Sequence, residues 1–136
     1  MPRIVRGQLA LEIGERLREL GIKTHALPNY SNEAFELQHR VIISALHGEL
    51  HRFDTLVKSC RAAKNSYPNY PALRKVLAEA GEQCYNIKEL VEVIILEMND
   101  GVDDWTRLGN RLLDIGQQLR LVSFVPPEKE STAAQA

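Results

Sequence analysis

Apolar residues recur every three or four positions along most of the chain, and no stretch of strand length alternates strictly between apolar and polar. The pattern predicts an all-α protein. Val5, Leu9, Ile13, Leu17 and Leu20 form the first stripe, predicting a helix over about 5–20 with Gly21 as its left-handed stop. Residues 23–30 contain Pro28 and no stripe, so they read as a loop, with Ser31 or Asn32 capping the second helix. From 32 to 65 there is no proline and a single glycine, while Phe35, Ile42, Leu46, Leu50, Phe53, Val57 and Cys60 advance at helical spacing. One helix of roughly 50 Å is expected there, at about 1.5 Å per residue.

Tyr67-Pro68-Asn69-Tyr70-Pro71 interrupts it, because each proline lacks an N–H and disfavours α geometry in the residue before it. Pro71 suits the first position of a third helix over about 71–98, whose stripe runs from Leu73 through Leu77, Cys84, Val91 and Ile95 to Met98. Asn99-Asp100-Gly101 ends it, and Asp103 or Asp104 opens a fourth helix, about 103–123, carrying Trp105, Leu108, Leu112, Ile115 and Leu119. The expected architecture is a four-helix, mainly antiparallel bundle built on a long helical hairpin. It is read as a single domain over 1–125, followed by a flexible C-terminal tail over 126–136.

Two departures from simple amphipathicity matter. Gly109 and Gly116 lie beside the fourth stripe, and since glycine costs a helix roughly 1 kcal/mol against alanine, the pair predicts close approach of another backbone. Leu90, Val93 and Leu96 add apolar surface outside the third stripe, so this segment is expected at the bundle centre or in a subunit interface. The second possibility motivates an expected homodimer.

Composition narrows the function classes. The 136 residues carry 17 Lys and Arg against 18 Asp and Glu, a net charge of -1, which gives no global field for nucleic acid or an anionic membrane. Residues 36–64 nevertheless hold five basic and three acidic residues, and 71–100 three basic and six acidic. Glu12, Glu15 and Glu19 interrupt the N-terminal apolar residues, so no signal-peptide core is expected and a cytoplasmic location is the simplest reading. Cys60 and Cys84 lack metal-site spacing and read as reduced core residues. A hairpin turning about Pro68 would set Cys60 opposite Val76 and Cys84 opposite Arg52, about 12 Å out of register. That exceeds the usual Cα limit of about 7 Å and disfavours an internal disulfide.

Candidate chemistry is sparse. His47 and His51 lie one turn apart and make half a metal site, the weak metal candidates of this chain. Glu36 to His39 is the single ExxH element, whereas a di-iron bundle needs two. Arg40 and His47 share a helix face about 20° apart in azimuth. An arginine followed at this distance by a histidine is similar to the signature of the HEPN ribonucleases, all-helical proteins with composite sites across a dimer. The resemblance covers two residues, and Val41 departs from the polar residue usual after the arginine. It implies that His47 would perform acid–base chemistry at a ribose 2′-hydroxyl while Arg40 held the scissile phosphate. His39 and Glu49 fall at the margins of the apolar stripe and read as boundary residues reaching toward water, His39 at the level of Glu97. Tyr67 and Tyr70 beside prolines suit either turn packing or a recognition edge. No phosphate loop, nucleophile elbow or cofactor fingerprint occurs, so no cofactor is implied.

The expectation is therefore a noncatalytic helical adaptor, regulatory or assembly protein that binds another protein, with Leu90, Val93, Leu96, Tyr67 and Tyr70 as contact residues. The alternative is a metal-independent ribonuclease centred on Arg40 and His47.

Overall fold

The computed structural model describes residues 7–29 and 32–122. It contains α1 (Gln8–His25), α2 (Glu33–Asn65), α3 (Pro71–Asn99) and α4 (Trp105–Arg120), and no strand among the described residues. The boundaries follow local chemistry. Asn32 caps α2 by accepting a hydrogen bond from the Phe35 N–H at 2.8 Å, and Asp104 caps α4 by accepting from the Arg107 N–H at 3.0 Å. Pro71 opens α3, where its missing N–H costs nothing. Gly101, with φ of 91°, turns the chain after α3 in the left-handed region that glycine enters without steric penalty.

The helices alternate in direction around the bundle. Glu12 and Arg16 of α1 meet Arg52 and Glu49 of α2, so one helix runs up as the other runs down. Asp54 meets Lys88 and His39 meets Met98 across α2 and α3, and Glu97 meets Arg107 and Arg111 across α3 and α4. Gly14 faces Gly116 and Gly21 faces Gly109 across α1 and α4, closing the ring. The tightest pairings are α1 with α4 and α2 with α3, and at one end α2 also reaches the diagonal α4, where Phe35 and His39 meet Trp105. This is an up-down-up-down four-helix bundle.

Ile13 and Leu17 of α1, Ile42, Leu46, Phe53 and Leu56 of α2, Leu77, Ile94 and Met98 of α3, and Leu108 and Leu112 of α4 are fully buried. Each lies on the stripe that its helical spacing defines, so burial of one face per helix supplies the main stabilisation. The long hairpin outreaches its partners. Glu12, near the start of α1, already meets Arg52, so the end of α2 and the beginning of α3 project beyond the described part of the α1–α4 pair.

Two helix ends differ from the sequence-based expectation. α1 continues through Gly21 to His25, because Gly21 is buried at the contact with α4 and keeps helical geometry there. Thr24 supports the added turn by donating its hydroxyl to the Leu20 carbonyl at 2.7 Å. α4 ends at Arg120 rather than near 123. The expected helix start at Val5, the Ser31 cap, Tyr30 and the tail over 126–136 lie outside the described residues.

Candidate functional site

Leu90, Val93 and Leu96 do not sit at the bundle centre. They are 42%, 43% and 61% exposed, because α4 covers α3 along the neighbouring line through Glu97 and leaves this strip open. Glu97 accepts two hydrogen bonds from Nη1 of Arg111, at 2.7 and 2.9 Å, and Arg107 approaches at 3.5 Å. The Arg111 hydrogen bond holds the Glu97 carboxyl below the usual carboxylate range. Exposed Glu89 and Glu92 flank the strip on α3 itself, giving an apolar ridge with an acidic margin.

The tyrosines at the far end of the hairpin pack on each other. Tyr67 and Tyr70 rings meet edge to face at 5.9 Å, and the Tyr70 N–H donates to the Tyr67 carbonyl at 3.2 Å. Tyr70 keeps 37% of its surface exposed, so the turn is self-packed yet presents one amphipathic ring.

Arg40, His47 and His51 are all exposed on the outer face of α2, with Arg40 and His47 aligned as their spacing requires. Neither Arg40 nor His47 has a hydrogen-bond partner or ion pair among the described residues. Among the described residues, His47 and His51 gain no third His, Cys, Asp or Glu that would complete a metal-binding group.

The two marginal residues behave differently from expectation. His39 does not reach Glu97: its Nε2 lies 3.1 Å from the Met98 carbonyl, and its ring stacks on Phe35 at 5.8 Å and meets the Trp105 edge at 5.0 Å. One of the carbonyls that the end of α3 leaves without an intrahelical partner is thereby satisfied from α2. Glu49 does not extend to water. It is 5% exposed, 3.5 Å from both Arg16 Nη1 and Arg52 Nε, and Arg52 also reaches Glu12. Burial pushes the Glu49 carboxyl up, and the two guanidiniums only partly offset this. Its Oε1 and the Arg52 Nε are buried without a well-formed hydrogen bond.

The cysteines depart from the register that a hairpin turning about Pro68 predicts. Cys60 neighbours Cys84 rather than Val76, and across α2 and α3 each thiol shifts the ionisation of the other. Side-chain interlocking sets the offset: Cys60, Ala63, Ala80, Gly81 and Cys84 are all small and buried at this crossing. A Cβ built on Gly81 would lie 3.2 Å from that of Cys60, so the α3 backbone rests directly on the cysteine. No geometric symmetry of the turn enforces a pairing that packing opposes.

No helix of the described residues is long and apolar enough to cross a membrane. No protein-family model matches the chain, and no curated protein or solved structure is significantly similar to it.

Proposed function

We propose that the protein is a noncatalytic helical interaction module whose α3 ridge docks a partner helix with an apolar face and basic flanks. The observation that carries this reading is the open strip on α3, where Leu90, Val93 and Leu96 stand exposed at three-residue spacing along one line of the helix. Glu89 and Glu92 beside it favour a basic margin on the partner, where opposite charge sets orientation and association rate more than affinity. Helices commonly enter such surfaces through residues at three- and four-residue spacing. Two copies meeting ridge to ridge would instead bring four carboxylates together, so the homodimer expected from the sequence is an outcome to be tested. A cytoplasmic location belongs with this reading.

The test uses Val93→Glu combined with Leu96→Glu, both at exposed positions whose replacement leaves the core intact. A partner recovered near one to one with the wild-type chain, lost with the variant at unchanged Tm, supports the proposal. Identical recovery by both proteins overturns it. Light scattering that finds a stable dimer, dispersed by the same substitutions, assigns the ridge to self-association instead.

One observation keeps the ribonuclease alternative in view: Arg40 and His47 share an exposed face of one helix. That reading needs a second copy to supply the rest of a site. RNA cleavage that survives both Arg40→Ala and His47→Ala removes it.

A further inference from the structure

Two buried thiols face each other at the projecting end of the hairpin, and one of them borders a groove. Cys60 is 1% exposed and Cys84 is fully buried. The groove, about 230 Å³, is lined by Cys60, Arg61, Lys64, Gly81 and Tyr85 among others. Gly81 has no side chain to fill it, and any larger residue there would press on Cys60. Arg61 and Lys64 follow Cys60 on α2 and give the groove a basic wall. Cys84 sits behind Cys60, away from the groove-lining residues, one turn beyond Gly81 on α3.

We propose that Cys60 and Cys84 form a reversible interhelical disulfide, with a small hydroperoxide entering the groove to oxidise Cys60 and Cys84 then resolving it. In the first step the Cys60 thiolate attacks the peroxide: an S–O bond forms, the O–O bond breaks, and the departing alkoxide or hydroxide takes a proton from water. Cys60 is then a sulfenic acid, oxidised by two electrons, and the peroxide has been reduced to an alcohol or water. In the second step the Cys84 sulfur attacks the Cys60 sulfur, the S–O bond breaks, and the Cys84 proton leaves with the hydroxyl as water. The net change is loss of one hydrogen from each thiol.

The order of events is set by the surroundings. Cys60 borders the groove and Cys84 does not; the neighbouring Cys84 thiol favours ionisation of Cys60, while the interaction with Cys60 and then burial hold Cys84 protonated. Attack therefore begins at the cysteine beside the groove. Small side chains at the crossing keep the two backbones close, as a disulfide between helices requires. Closure would lock α2 to α3 in the segment that the described part of the α1–α4 pair does not support, giving the hairpin end an oxidised, stiffer state.

The experiment treats the folded full-length chain with hydrogen peroxide, then denatures it, alkylates it and maps its peptides without reduction. The expected product is a peptide pair joined through Cys60 and Cys84, with no free thiol, both thiols returning on addition of dithiothreitol. Thermal melts of the oxidised chain are expected several degrees above those of the reduced chain. Cys84→Ser should trap a dimedone-reactive sulfenic acid on Cys60, whereas Cys60→Ser should leave Cys84 reduced. Thiols that stay reduced until the protein is unfolded overturn the proposal, as does a sulfenic acid that forms on Cys84 instead.

Discussion

Gly21 of α1 and Gly109 of α4 are pressed so closely together that a Cβ built on Gly21 would lie 2.8 Å from the Gly109 carbonyl oxygen, and one on Gly109 would lie 2.6 Å from that of Gly21. Gly14 and Gly116 repeat the arrangement one heptad away, at 2.9 and 2.7 Å. These obstacles are backbone atoms, which cannot swing aside as a side-chain tip can. Replacing Gly109 with Ala should therefore destabilise the chain by about 1–3 kcal/mol, the usual range for overpacking, even though alanine is the better helix former by about 1 kcal/mol. Urea denaturation measures the difference, and an unchanged midpoint would show that the two helices separate at no cost.

Gly48 supplies the internal control. It also lies within a helix, α2, but a Cβ there meets nothing within 4 Å. Gly48→Ala should stabilise the protein by about 0.4–1 kcal/mol, by restricting the unfolded chain and improving helix propensity. Opposite signs for Gly48→Ala and Gly109→Ala in the same denaturation series would separate packing from propensity.

That contrast marks how far the fold is legible in the sequence. Helical stripes and the seven-residue spacing of Gly109 and Gly116 announce the bundle and a close approach, because both are local patterns on one helix. The partners of those glycines are hidden: Gly14 stands out in no local pattern, and Gly21 reads as a helix stop because its neighbours alone do not reveal the backbone of α4. Cys60 with Cys84, and Asp54 with Lys88, escape for a related reason. In a hairpin centred on Pro68, Asp54 would face Glu82, but local packing brings Lys88 to it instead, donating from Nζ at 2.7 Å. Register depends on how two surfaces interlock, which neither surface encodes alone. The apolar excess at Leu90, Val93 and Leu96 is visible in the sequence, but its position outside the core requires the course of α4.

His39 offers a test with a built-in reporter, since Trp105 is the only tryptophan. Leucine at position 39 would retain apolar contact with Phe35 and Trp105 but abandon the Met98 carbonyl. His39→Leu should cost about 1 kcal/mol, the net value of a typical hydrogen bond. Alanine would also open space beside the indole, so His39→Ala should be the more destabilising variant and should shift Trp105 emission toward the red. Equal stability and equal spectra for the two variants would deny the ring its packing role.

Glu49 and Glu97 should respond to pH in opposite directions. The Glu97 carboxyl is held down by Arg111, so the folded state binds its proton less tightly than the unfolded chain does. Its contribution to stability is present above the unfolded value near 4.5 and is lost as pH falls through the lower folded value. Glu49 is held up by burial, so its folded state keeps the proton longer. Relative to an uncharged side chain, its favourable contribution is present below the unfolded value near 4.5 and is lost as pH rises through the higher folded value. Glutamine mimics the protonated form in size and leaves Arg52 its contact with Glu12. Glu49→Gln should therefore match the wild type in mildly acid solution and gain over it by a few degrees in Tm as pH approaches neutrality. Glu97→Gln should lose about 1 kcal/mol at neutral pH, as a partly exposed ion pair does, and converge on the wild type in acid. Melting both variants and the wild type across that range tests the two signs together. A Glu49→Gln deficit that grows toward neutral pH would mean that Arg16 and Arg52 more than offset the burial of the charge.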